Sequence, residues 1–298
     1  MPSFHELRTE ILNEGSAEKV RRSYLGKLSQ YTGRNTIIYY SGWLQKQTDS
    51  KQDAIHFSVN DNDKNAFMTT ISGLDESKGL DLILHTPGGD IAATESLVDY
   101  LKKIFGNDIR AIVPQLAMSA GTMISCACSE IIMGEHSSIG PIDPQLSGMP
   151  AHGIIPEFER ARQEIAASAE NIHIWQPIIA KYPPTLIGHC VQSIQLSMQM
   201  VKEWLVDNML SERANPEADA DVILNYLGSY TETKSHSRHI PIDKAAQLGL
   251  TVTALEDDKI LQDLVLSVHH ATIYTLGTTS AMKLVENQNG IALVHHIN

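Results

Sequence analysis

Apolar residues recur along this chain with two different periods. In SFHELRTEILNE (3–14) and AEKVRRSYLGKLSQY (17–31) they return every three or four positions, which gives a helix one apolar stripe. Ser3 and Glu6 have the spacing of a capping box at the start of the first helix, and Gly33 is the expected stop of the second. After that the pattern shortens to β-branched runs: TIIYY (36–40), LDLILHT (80–86), IRAIVPQ (109–115) and EIIMG (130–134). They alternate with helical stretches such as TESLVDYLKKIF (94–105), which predicts right-handed βαβ units with strands buried between layers. Residues 185–210 read as one long amphipathic helix whose Met198, Met200 and Trp204 belong to the core. A further helix is expected near 256–275, followed by KLVEN and IALVH around Gln288-Asn289-Gly290, where Asn-Gly supplies the positive φ angles of a tight hairpin turn. With no repeat, low-complexity tract or linker, the simplest organisation is one α/β core with helical attachments.

Composition narrows the function classes. The 298 residues include 42% hydrophobic positions, enough for a substantial core. Asp and Glu number 35 against 23 Lys and Arg, a formal charge of -12, which disfavours phosphate backbones and anionic lipid surfaces; no nucleic-acid or membrane partner is expected. The three cysteines, Cys126, Cys128 and Cys190, write no disulfide framework, and no apolar run reaches the roughly 18 residues of a membrane helix. The N-terminus lacks the order of a secretory signal, so a cytoplasmic protein is expected.

Chemistry concentrates between Leu82 and Pro144. Pro87-Gly88-Gly89-Asp90 follows a buried strand, and two glycines there bring backbone N–H groups close to whatever lies above the sheet edge. About thirty residues later Ser119-Ala120-Gly121 follows a second strand and opens a small-residue helix. A serine at that junction sits in the positive end of the helix dipole, with the N–H of Ala120 pointing into the same space. A third element, Ser137-Ser138-Ile139-Gly140-Pro141-Ile142-Asp143-Pro144, follows EIIMG. Its Asp143 either orients a base or caps the turn before Pro144, and the turn is the favoured reading.

The order TPGG, AMSAG, SSIGPIDP resembles the Clp-fold serine peptidases: the Clp proteolytic subunit, the signal peptide peptidases and, most closely, the serine dehydrogenase proteinase family. RNTIIYYSGWLQ, HIPIDKAAQLGL and KLVENQNGIA extend the likeness over nearly the whole chain. The resemblance implies a Clp/crotonase-like spiral of ββα units assembled into a homo-oligomer. It implies a helical arm at 1–35, a peptidase core at 36–255 and a C-terminal helix with β-hairpin at 256–298. It further implies Ser119 as nucleophile and an oxyanion hole formed by Gly89 and Ala120, with Gly88 supporting the turn.

The general base does not carry over, because SSIGPIDPQ lacks the His of the Clp subunit and the stretch after PAHGIIPEFER lacks the Lys of Lys-dependent relatives. His152 is the leading candidate from the sequence itself, with Lys181, His173 and His189 as alternatives. The expected function is a serine peptidase acting on a peptide or protein through an acyl-enzyme on Ser119, without cofactor or metal. Two alternatives stay open: a non-catalytic ring-forming scaffold or peptide binder, and a crotonase-type acyl-CoA enzyme. Asp61-Asn62-Asp63-Lys64-Asn65 resembles an EF-hand start but has Ala66 and Ser72 where Gly and Glu are required. His236, His239, His269, His270, His295 and His296 have no Cys or carboxylate at a known ligand spacing and are read as non-metal.

Overall fold

A computed structural model describes residues 3–46, 55–146 and 148–296. Helix α1 (Phe4–Glu14) begins with the expected capping box: Glu6 N–H donates to Ser3 Oγ and Ser3 N–H to Glu6 Oε2. Helix α2 (Ala17–Thr32) ends at Gly33, whose φ of +71° closes it. The chain then enters β1 (Asn35–Ser41), passes through α3 (Asn62–Ile71) and continues through β2 (Leu80–His85), α4 (Ile91–Phe105), β3 (Ile109–Val113), β4 (Leu116–Ala117), α5 (Ala120–Cys126) and β5 (Glu130–Met133). The next pieces are short: β6 (Ser138–Ile139), β7 (Gln145–Leu146) and β8 (Met149–Pro150). Helices α6 (Ala151–Ala167), α7 (Ile172–Ile179), α8 (Leu186–Trp204), α9 (Pro216–Leu227) and α10 (Tyr230–Thr233) form the following third of the molecule. The chain closes with β9 (Ile240–Pro241), α11 (Ile242–Leu248), β10 (Val252–Ala254), α12 (Lys259–Thr278), β11 (Ala281–Asn287) and β12 (Ala292–His296).

Seven strands make one sheet in the order β10-β5-β3-β2-β1-β11-β12, parallel from β10 to β1 and antiparallel at the last two. Alternate residues sort onto its two faces, as the pleat requires. Ile37, Tyr39, Leu82, Leu84 and Val113 pack with α3, α4, α5 and the end of α8, while Ile38, Tyr40, Ile83, Ile112 and Leu284 pack with α2 and α12. The architecture is the α/β fold expected from the sequence. The N-terminal and C-terminal segments lie together, because α2 and α12 share one face and β11 pairs directly with β1. Arg21 and Arg22 of α2 both donate to the buried carboxylate of Glu286 on β11, at 2.5 and 2.6 Å.

Two elements differ from the pattern. The helix expected over 185–210 is α-helical only to Trp204 and then widens into a π turn at Leu205–Met209, which lets the buried Asn208 donate to Ala127 O at 2.9 Å. In the hairpin only Gly290 takes a positive φ, +77°, and Asn289 does not. The Asn287 side chain closes that loop instead, accepting from the N–H groups of Asn289 and Ile291.

Candidate functional site

Three loops meet at the C-terminal ends of the parallel strands, where ligands of open α/β sheets commonly bind. Thr86 N–H donates to Leu116 O, and Met118 N–H returns the bond to Thr86 O, joining the TPGG turn to the AMSAG turn. Thr122 does the same for the third segment: its hydroxyl lies 2.9 Å from both Ala117 O and Gly140 O, which share its one hydrogen, and it accepts from Gly140 N–H at 2.9 Å. The sequence motifs are therefore a single hydrogen-bonded unit.

Ser119 stands at the N-cap of α5 with φ +50° and ψ −112°. A side chain rarely adopts that conformation, which is the first central position of a type II′ turn and normally a glycine's place. The strained turn lifts the hydroxyl out of the backbone, as in a nucleophile elbow. Space for it exists only because Gly88 has no side chain: a Cβ there would lie 2.6 Å from Ser119 Cβ and 2.8 Å from Met118 O. Gly88 is also at φ +101°, a conformation open to glycine. On its other side Gly89 lies against Val59, whose N–H donates to Gly88 O and whose carbonyl accepts from Asp90 N–H. A Cβ on Gly89 would collide with the Val59 backbone. These bonds leave the N–H groups of Gly89 and Ala120 without an acceptor among the described residues, the first on an exposed loop and the second at the start of α5.

Ser119, Gly88 and Gly89 open onto a cavity of about 650 Å³. Met123, Ile142 and Leu196 give it an apolar wall, and Gln145 and His236 a polar one. His236 Nδ1 lies 2.8 Å from Oδ1 of Asp143, whose carboxylate is buried, and Gln145 Nε2 donates to the other carboxylate oxygen at 2.8 Å. Asp143 therefore does more than the turn-capping favoured from the sequence: both of its oxygens hold side chains of the cavity wall. The juxtaposition follows from the pairing of β6 with β9, Ser138 opposite Pro241 and Ile139 opposite Ile240, which carries the segment before β9 alongside Asp143.

The base candidates taken from the sequence lie elsewhere. His152 sits in the first turn of α6 and is not part of the cavity wall. Its Nε2 is buried without a partner, and burial pushes its pKa down despite the nearby Asp143 charge. Lys181, His173 and His189 are exposed on the helical third of the molecule. From the sequence His236 reads only as a possible metal ligand, whereas the fold places it on the cavity wall. The available signal was a histidine shortly before HIPIDKAAQLGL, a segment already similar to the family.

Other polar residues are accounted for within the fold. Asp61 precedes α3, and Asp63 is paired with Lys283. Cys126, Cys128 and Cys190 are free and buried, and burial pushes the Cys126 thiol up to about 12, which leaves it protonated and unreactive. Among the described residues no helix is long and apolar enough to cross a membrane.

Comparison with known proteins places the chain in a family. An uncharacterized protein of Methanocaldococcus jannaschii is 30% identical over 229 residues, 76% of this chain and 72% of its own length. A second uncharacterized protein of that organism is 29% identical over 187 residues, 63% of this chain and 56% of its own. Residues 54–267 match the family described as ClpP-like SDH-type serine proteinase, a span holding all three motifs as well as His236, and the chain belongs to that family.

Proposed function

We propose that this protein is a serine peptidase in which Ser119 is the nucleophile, His236 the general base and Asp143 the residue that orients it. The observation that carries the reading is the His236 Nδ1 to Asp143 Oδ1 contact of 2.8 Å, on the wall of the cavity onto which Ser119 opens. A carboxylate at Nδ1 holds the proton there and leaves the Nε2 lone pair free to take the Ser119 hydroxyl proton. Gln145 occupies the second oxygen of Asp143 and keeps the carboxylate turned toward His236.

Attack of Ser119 Oγ on a peptide carbonyl would form a tetrahedral intermediate whose oxyanion accepts from the N–H groups of Gly89 and Ala120. Each such donor is worth about 3–4 kcal/mol in hydrolases where one has been removed. As the C–N bond breaks, Nε2 returns its proton to the leaving amine. A water deprotonated by the same nitrogen then cleaves the acyl-enzyme.

The apolar wall of Met123, Ile142 and Leu196 supports extended peptides with apolar side chains as substrates. A homo-oligomer working on soluble substrates in the cytoplasm is part of the same reading, consistent with three free cysteines. Two experiments test the core of it: labelling by a fluorophosphonate probe, and hydrolysis of fluorogenic peptides, by wild type and Ser119→Ala. Both activities should vanish in the variant. A wild type that neither labels nor cleaves at any assembly state would leave a scaffold or peptide binder of the same fold.

A further inference from the structure

We propose that Lys283, with Asp63, is a positioning residue for the oxyanion loop, acting from the C-terminal hairpin through the segment Phe57–Asn60. The proposal deepens the serine-peptidase reading above and rests on it for its catalytic consequence. Lys283 lies on β11, fully buried in the sheet. Its ammonium has three N–H groups and three acceptors: Asp63 Oδ1 at 2.8 Å, Asp63 Oδ2 at 3.0 Å and the carbonyl of Ser58 at 2.7 Å. Asp63, equally buried, also accepts from Tyr39 Oη at 2.8 Å and from Asn60 N–H at 2.9 Å.

The segment that this pair grips is the one on which the oxyanion loop rests. Phe57 O accepts from Ser41 Oγ at 2.8 Å, Ser58 O from Lys283, and Asn60 N–H donates to Asp63. Between these anchors Val59 has its own N–H and C=O committed to Gly88 and Asp90, on either side of Gly89. Gly89 is too close to Val59 for any side chain, so a displacement of Val59 moves the peptide unit that carries the Gly89 N–H. An ammonium is suited to this work, because one nitrogen can tie a charged side chain to a backbone carbonyl in a buried site. Lys283 is not a proton acceptor for Ser119: all its hydrogens are engaged, and it is not part of the cavity wall.

Lys283→Met alone would strand the Asp63 charge in the core and is expected to impair folding. The informative variant is Lys283→Met with Asp63→Asn, which removes both charges but keeps an acceptor for Tyr39 and Asn60. A misplacement of an ångström at a catalytic group can cost about 100-fold. We expect kcat for peptide hydrolysis to fall by about 10- to 100-fold with KM within about twofold, because the oxyanion donors act in the transition state. Amide hydrogen exchange at residues 57–60 and 88–90 should rise by about tenfold while β1, β2 and β3 keep their protection. A folded double variant with wild-type kcat and wild-type exchange at those amides would overturn the proposal. If the double variant does not fold, Lys283→Arg takes its place, keeping the charge pair but not three hydrogens on one nitrogen. Faster exchange at 57–60 in it supports the clamp, and wild-type exchange with wild-type kcat overturns it. Exchange is read whether or not the wild type cleaves peptides, so a failure of the peptidase assignment shows separately, as absent Ser119-dependent labelling.

Discussion

At the scale of single residues the two histidines flanking Asp143 separate cleanly. His236→Ala should lower kcat by about 10⁶-fold, the size of loss seen when a triad base is removed. His152→Ala should leave kcat within a few-fold, and a peptide assay on the two variants distinguishes them. Asp143→Asn should cost about 10⁴-fold by allowing the wrong imidazole tautomer. Ser119 offers a test of opposite sign. Its φ of +50° costs about 1–3 kcal/mol in a residue bearing a Cβ, and glycine would relieve part of it. Ser119→Gly should therefore be inactive yet more stable by about 1 kcal/mol in urea denaturation. The turn that carries Ser119 and the glycine turn were legible in the sequence because their pattern is local: strand, small residues, helix. The Asp143–His236 contact was not, because the two are joined across 93 residues by the two-residue pairing of β6 and β9, too short to leave a periodic signal.

At the scale of elements, the helix that begins at Ser119 is fixed at both ends. Thr122 ties its first turn to Gly140, and Asn208, presented by the π turn, donates to Ala127 O just past its last residue. Asn208→Ala leaves that carbonyl unpaired in a buried place and should destabilise the protein by about 1–3 kcal/mol in thermal or chemical melts. The regular helices and strands were readable from their periods, since each buries one face. The π turn was not, because its cause is a partner on another helix. The hairpin shows the same limit: Asn-Gly announced a turn, but the Asn287 side chain selected the loop.

For the whole molecule, two buried histidines contribute to the response to acid. His85 and His269 lie with Tyr40 and Trp43 on the face covered by α2 and α12, their rings packed against one another. Burial pushes His85 down to about 3, and His269 well below its ordinary value, with His85 and His270 adding repulsion. Both are neutral in the folded protein and take up a proton readily only when unfolded. Their contribution is fully present above about pH 6.5 and is lost as pH falls, at about 1.4 kcal/mol per pH unit for each histidine. For His85 the loss continues to about pH 3. Melting temperatures at pH 7.5 and pH 5 should show the decline, and its absence would contradict the burial of this cluster.

The position of β11 in the chain has a consequence for biosynthesis. Lys283 and Glu286 are buried charges on one strand, each answered by residues more than two hundred positions earlier. Until residue 283 has emerged from the ribosome, Ser119 and its glycines exist without the ammonium that grips the segment beneath them. A chain arrested before β11 should react with a fluorophosphonate at least about tenfold more slowly than the full chain. In the proposed peptidase the oxyanion loop would gain its clamp only after β11 has been made, so the order of synthesis would itself delay activity.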